Sequence, residues 1–157
     1  MGIEIERKFL VDHTKWFALP KSHPDYFIQG YLHSDEHKTI RVRATIQKGF
    51  ITIKGKSDVD GISRSEYEYE IPRAEAIELL SLFAETTLEK NRYEIAFAGN
   101  VWEVDVFEGK NKGLIVAEIE LKNATQSFEK PDWITEEVTG DKRYYNSWLA
   151  VHSDLEW

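Results

Sequence analysis

Cysteine is absent from the 157 residues, and methionine occurs once. Without thiols there can be no disulfide, no thiolate zinc site and no cysteine nucleophile, and the composition suits a reducing, cytoplasmic setting. Long apolar runs are also missing, since none approaches the roughly 20 residues that span a bilayer. The stretch Met1 to Lys8 carries charges where a signal peptide needs an apolar segment, and Glu6 stands where N-myristoylation would need Ser or Thr. Positive charge is in deficit. With 20 Lys and Arg against 28 Asp and Glu the formal charge is −8, a field that repels nucleic acid and anionic membranes, so neither is an expected partner.

What remains is ample for one core: 41% hydrophobic, 13% aromatic and 31% charged residues, read as a single domain over 1–157. Period-two alternation marks strands at 3–9, 39–45, 50–56, 63–71, 91–97, 101–107 and 115–122, with a weaker one at 26–32. Turns are expected at 47–49, 98–100 and 108–113, where Gly or Asn recurs. Helical spacing of Ile77, Leu80, Phe83 and Ala84 predicts a helix over 72–87 that begins at a proline. Asp12 is positioned to cap a short helix over 12–19, and 141–151 reads as a third with Tyr145, Trp148 and Leu149 on its packing face.

Alternate side chains point to opposite faces of a strand, and the charged face recurs on seven of these segments. It collects nine bases (Lys8, Arg41, Arg43, Lys54, Lys56, Arg64, Lys90, Arg92, Lys122) and ten acids (Glu4, Glu6, Glu66, Glu68, Glu70, Glu94, Glu103, Asp105, Glu118, Glu120). A solvated antiparallel face needs no function to explain it. Here, however, acids and bases fill nearly every position and leave few for Ser, Thr, Asn or Gln. If about eight strands close into a barrel with the apolar faces outward under the helices, the charges line an interior. Such an interior calls for ligands: an oxygen-rich anion for Arg and Lys, and a hard cation for the carboxylates. None of His13, His23, His33, His37 and His152 falls on this face, which disfavours histidine-assisted nucleophilic catalysis. Trp102, Tyr67, Tyr69 and Tyr93 share the apolar face and are expected to pack between barrel and helices.

The series Glu4-Ile5-Glu6-Arg7-Lys8, Gln29-Gly30-Tyr31-Leu32, Arg41-Val42-Arg43, Thr52 to Lys56, Arg64 to Glu70, Lys90-Asn91-Arg92, Val104 to Phe107, Ala117 to Leu121 and Val138 to Asn146 resembles the CYTH superfamily of triphosphate tunnel metalloenzymes over nearly the whole chain. The resemblance implies an α+β fold, an eight-stranded antiparallel β-barrel with a charged interior and helices packed outside. It further implies hydrolysis of inorganic triphosphate with Mg²⁺ or Mn²⁺. By this carry-over Glu4, Glu6, Glu118 and Glu120 hold metal, with Asp105 a further candidate. Lys8, Arg41, Arg43, Lys54, Lys90 and Arg92 hold phosphate oxygens, and Lys56 and Arg143 match less constrained binding positions. Glu66 and Glu68 orient the bases. A small-molecule triphosphate is the implied partner, and homodimerisation is left open. A class IV adenylate cyclase, a thiamine triphosphatase and a non-catalytic polyphosphate-binding module are the alternatives.

Overall fold

The computed structural model describes residues 2–152 and 157. In chain order these form β1 (Gly2–Val11), α1 (His13–Ala18), β2 (Asp25–Ser34), β3 (Lys38–Ala44), β4 (Gly49–Gly55), β5 (Ser63–Ile71), α2 (Arg73–Phe83), β6 (Thr87–Phe97), β7 (Asn100–Phe107), β8 (Ile115–Glu120), β9 (Ile134–Glu137) and α3 (Asn146–Leu149). All pairings are antiparallel, in the order β5-β4-β3-β2-β6-β7-β8-β1, and a β1–β5 pairing closes eight strands into a barrel. Strand β9, which the periodicity does not show, is a short addition to β1. Strands β5 and β9 share one edge of β1: Glu6 N–H donates to Ile62 C=O and Lys8 C=O accepts from Val138 N–H, whereas Ile5 C=O on the opposite edge accepts from Leu121 N–H. The ten-residue β1 outlasts β5, and β9 takes over the edge that β5 leaves.

The apolar faces do turn outward, and two clusters cover them. Trp16 of α1, capped by Asp12 through Lys15 N–H at 3.0 Å, packs with Phe9, Trp102, Val104, Ile119 and Trp133 over β1, β7 and β8. Helix α2 lays Ala76 and Leu80 on Val42 and Ala44. Tyr93 packs edge-on against Trp16 as expected. Tyr67 and Tyr69 face outward too, but α2 meets β5 at Ile71, its last residue, and both tyrosines are about half exposed.

The charged interior is bounded at one end, and one expectation needs correction. The charged lining does not run the full length of the barrel. Leu10, Leu88, Phe107 and Val116 share the inward parity of Lys8, Lys90, Asp105 and Glu118, and they bury an apolar plug with Leu114, Leu149 and Ala150 at one end. The segment 141–151 is not one helix. A 3₁₀ turn over Lys142–Tyr144 stops at Tyr145, whose extended backbone (φ −72°, ψ 134°) redirects the chain before α3. Among the described residues no helix is long and apolar enough to cross a membrane.

Candidate active site

Inward parity, interrupted by the plug, leaves a central cavity of about 200 Å³. Of the expected residues Glu4, Glu6, Lys8, Arg41, Arg43, Lys54, Lys90, Arg92, Glu118 and Glu120 line it, along with Arg64, Glu66, Glu68 and Glu103. One mouth is edged by Asp25, Phe50 and Glu94, and beyond the other lies a depression bordered by Lys38, Lys142 and Trp148. Lys56 and Arg143 do not line the cavity: Lys56 follows the last residue of β4, and the exposed Arg143 turns to Asp141 at 2.7 Å. Lys122 likewise falls past the end of β8 and is exposed. Glu70 reaches Lys48 at the surface, 3.4 Å away.

Most carboxylates in the barrel already have partners. Glu4 accepts from Lys54 Nζ at 2.9 Å and Arg64 Nε at 3.3 Å. Burial pushes its pKa up, but Lys54 and the hydrogen bond from Glu66 outweigh that and hold it well below the usual carboxylate range. Glu66 itself is raised to about 7, first by burial and then by that neighbour. Glu118 lies 3.6 Å from Lys8 Nζ and 4.0 Å from Arg92. Asp105, expected among the metal ligands, is absent from the cavity lining: it sits 1% exposed behind the bases and accepts from Lys90 Nζ at 2.6 Å and from Arg92 Nε at 2.8 Å.

Two places are left uncompensated, and their signs are opposite. Glu6 faces Glu118 and Glu4, and burial together with these two carboxylates drives its pKa well above the usual range. A proton there does what a cation could do, so the donor set is one that a hard divalent ion fits. Among the described residues no three Asp, Glu or His side chains are already gathered tightly enough to hold a metal, because Lys8, Lys54 and Arg64 interleave with them. On the facing wall Arg43 has no carboxylate partner among the described residues: Nε donates to the neutral Gln29 Oε1 at 3.0 Å. Its guanidinium lies 4.3 Å over the Phe27 ring. Burial, then Arg41 and Arg92, depress its pKa to about 9. Arg41 touches Thr52 and Glu68 only at 3.2 and 3.4 Å, and its buried Nε has no partner among the described residues.

Sequence reasoning gave no site role to Phe27, Gln29 and Tyr31 on β2 or to Tyr145, Asn146 and Ser147 before and within α3, although Gln29, Tyr31, Tyr145 and Asn146 fall in the segments that carry the resemblance. The first three sit at period two, yet they carry no like charges to draw attention.

A CYTH domain family model matches residues 2–145. The chain belongs to the CYTH family. It is 51% identical over 96% of its length to an inorganic triphosphatase of Acetivibrio thermocellus, of which 94% is covered. It is also 37% identical over 94% of its length to an inorganic triphosphatase of Nitrosomonas europaea, of which 97% is covered. A solved inorganic triphosphatase superposes with a TM-score of 0.65 at 35% identity, covering 95% of each chain. A protein of Pyrococcus horikoshii, at 22% identity and TM-score 0.59 over 77% of this chain and 80% of that one, shares the fold. The CYTH barrel therefore accounts for the eight-strand closure and for the charged interior together.

Proposed function

We propose that this CYTH protein hydrolyses inorganic triphosphate to pyrophosphate and phosphate, using Mg²⁺ or Mn²⁺, as a cytoplasmic enzyme. The relatives above supply the activity by name. The observation in the molecule that supports it is Arg43: a buried guanidinium with a neutral partner, beside Arg41 and Arg92, needs an anion to complete it.

Arg41, Arg43, Lys54, Lys8, Lys90 and Arg92 hold the phosphate oxygens and spread their charge, the main demand of phosphoryl transfer. Glu4, Glu6, Glu118 and Glu120 would hold the divalent ion, Glu6 giving up its proton to do so. When bound, that ion neutralises phosphate oxygens and makes a water nucleophilic near neutral pH. Asp105 orients Lys90 and Arg92 from behind the wall, and Glu68 does the same for Arg41 through Thr52, whose hydroxyl donates to it at 2.7 Å. Lys56 borders the depression beyond the cavity and Arg143 is exposed outside it, so neither is given a role at the phosphate in this reading.

The test is phosphate release from triphosphate, ATP, thiamine triphosphate and long-chain polyphosphate with Mg²⁺ or Mn²⁺. The expected result is highest catalytic efficiency on inorganic triphosphate, abolished by excess chelator and by Glu120→Gln. Turnover that survives chelator removes the metal from the mechanism, and a preference for ATP or thiamine triphosphate changes the substrate.

A further inference from the structure

Asn146 lies one residue past the family match, yet its side chain enters the cationic wall. Arg43 Nε donates to Gln29 Oε1 at 3.0 Å, Gln29 Nε2 donates to Asn146 Oδ1 at 2.9 Å, and Lys90 Nζ donates to the same oxygen at 2.7 Å. Guanidinium and ammonium groups have no acceptor. The Gln29 oxygen must therefore face Arg43 and the Asn146 oxygen must face Lys90, which leaves donor against acceptor in the middle contact. Neither amide can flip without placing N–H against N–H. Gln29 and Lys90 are 0% and 1% exposed, so a lost partner is not replaced by bulk water, and an unmade buried hydrogen bond is costly.

Packing puts Asn146 there. Leu149 and Ala150, three and four residues on, sit in the apolar plug with Leu88, Phe107 and Val116. Asn111 Nδ2 donates to Leu149 C=O at 3.2 Å. The short α3 is thereby fixed at the end of the barrel with its first residue against Lys90. A carboxylate at this point could accept the same hydrogen bonds, but it would compete with an anionic substrate for Lys90, which already contacts Asp105. A neutral amide holds the cations in place and leaves them available.

We propose that Asn146 is a positioning residue, acting through Gln29 on Arg43 and directly on Lys90, and that α3 thereby completes the phosphate-binding wall. This rests on the triphosphatase reading given above. Four variants test it: Asn146→Ala, Gln29→Leu, the two combined, and Asn146→Asp. Each is followed by thermal melting, by kcat and KM with Mg²⁺, and by calorimetric binding of inorganic triphosphate in chelator. Asn146→Ala and Gln29→Leu should each lower kcat about tenfold or more with little change in KM, an effect of misplaced donors. The double variant should lose about as much as the worse single one, because residues in one hydrogen-bonded chain are not additive. Asn146→Asp should melt like the wild type and bind triphosphate about tenfold more weakly or worse. Additive losses, an unchanged kcat in the single variants, or wild-type binding by Asn146→Asp would each overturn the relay. Should Asn146→Ala not fold, the isosteric Asp variant still decides the matter. A wild type that fails to hydrolyse triphosphate defeats the triphosphatase reading alone, since the binding arm needs no turnover.

Discussion

Arg43 and Asp105 are near neighbours with opposite fates, and the difference is what each has been given as a partner. Arg43 is buried against an aromatic ring and a neutral amide, so its charge is held ready for an anion. Arg43→Ala should cost catalytic efficiency a factor of about 10²–10³, the scale of one preorganised donor. Arg43→Lys should restore little, because an ammonium cannot offer the planar fork that suits paired phosphate oxygens. Steady-state kinetics on inorganic triphosphate checks both. Asp105 is spent inside the protein. Burial raises its pKa, but Arg92 and Lys90 prevail and hold it at about 2, against 3.8 ordinarily. A carboxyl depressed on folding stabilises the protein above its unfolded pKa and loses that effect as pH falls through the folded value. The contribution should be present above pH 3.8 and lost as pH falls to about 2, amounting to about 2 kcal/mol at most. Asp105→Asn takes from Lys90 its carboxylate partner and leaves Arg92 with Glu103 and Glu118, and it should cost about 3–5 kcal/mol at neutral pH. The gap to wild type should narrow in acid. Urea denaturation from pH 7 down to pH 2 measures it, and a gap that does not change with pH would show that the Asp105 charge is not what stabilises.

At the level of strands and helices, the close fit between α2 and the sheet makes a sharp prediction. A Cβ on Gly49, at the start of β4, would lie 2.6 Å from Ala76 Cβ on α2. Real contacts do not come so close, so Gly49→Ala must push the helix off the sheet. The expected loss is about 1–3 kcal/mol, typical of overpacking, read as a lower urea midpoint with an unchanged slope. A neutral substitution would mean that α2 rests on the sheet more loosely than the contact implies. Strands of this kind were legible in the sequence because charge and apolarity alternate in step with the pleat, as in Arg41-Val42-Arg43 and Glu118-Ile119-Glu120. Strand β2 was faint because its inward positions are Asp25, Phe27, Gln29 and Tyr31, a mixture with no common chemistry. β9 has four residues, too few to show a period. Asn146 was invisible as a site residue: its place depends on Leu149 and Ala150 meeting Leu88, Phe107 and Val116, contacts between distant parts of the chain that no local pattern encodes. The same contacts explain why the inward parity ends in a plug instead of running through.

For the whole molecule, the consequence of closing a charged sheet is a cavity with two unmet demands of opposite sign. Glu6, crowded by Glu118 and Glu4, calls for a cation, while Arg43 and Arg41 call for an anion. Either ligand alone answers one demand and leaves its own charge facing the other wall without a counterion. The two should therefore bind cooperatively and stabilise the fold together. Any ligand that binds only the folded chain stabilises it by about 2.7 kcal/mol at a hundred times its dissociation constant. At roughly 2–4 °C per kcal/mol for a chain of this size, that corresponds to a melting shift of roughly 5–11 °C. The measurement is a set of thermal melts with triphosphate alone, Ca²⁺ alone and both together, with sulfate at matched ionic strength as the control. Ca²⁺ serves as a hard cation with a preference for carboxylate oxygens. The shift with both should exceed the sum of the separate shifts, and sulfate should reproduce little of it, because a single small anion cannot reach Arg43 and Arg41 on one wall and the Glu6 site on the other. Equal shifts with triphosphate and sulfate would mean that the anion is felt only as salt, and the cavity would then not be where triphosphate binds.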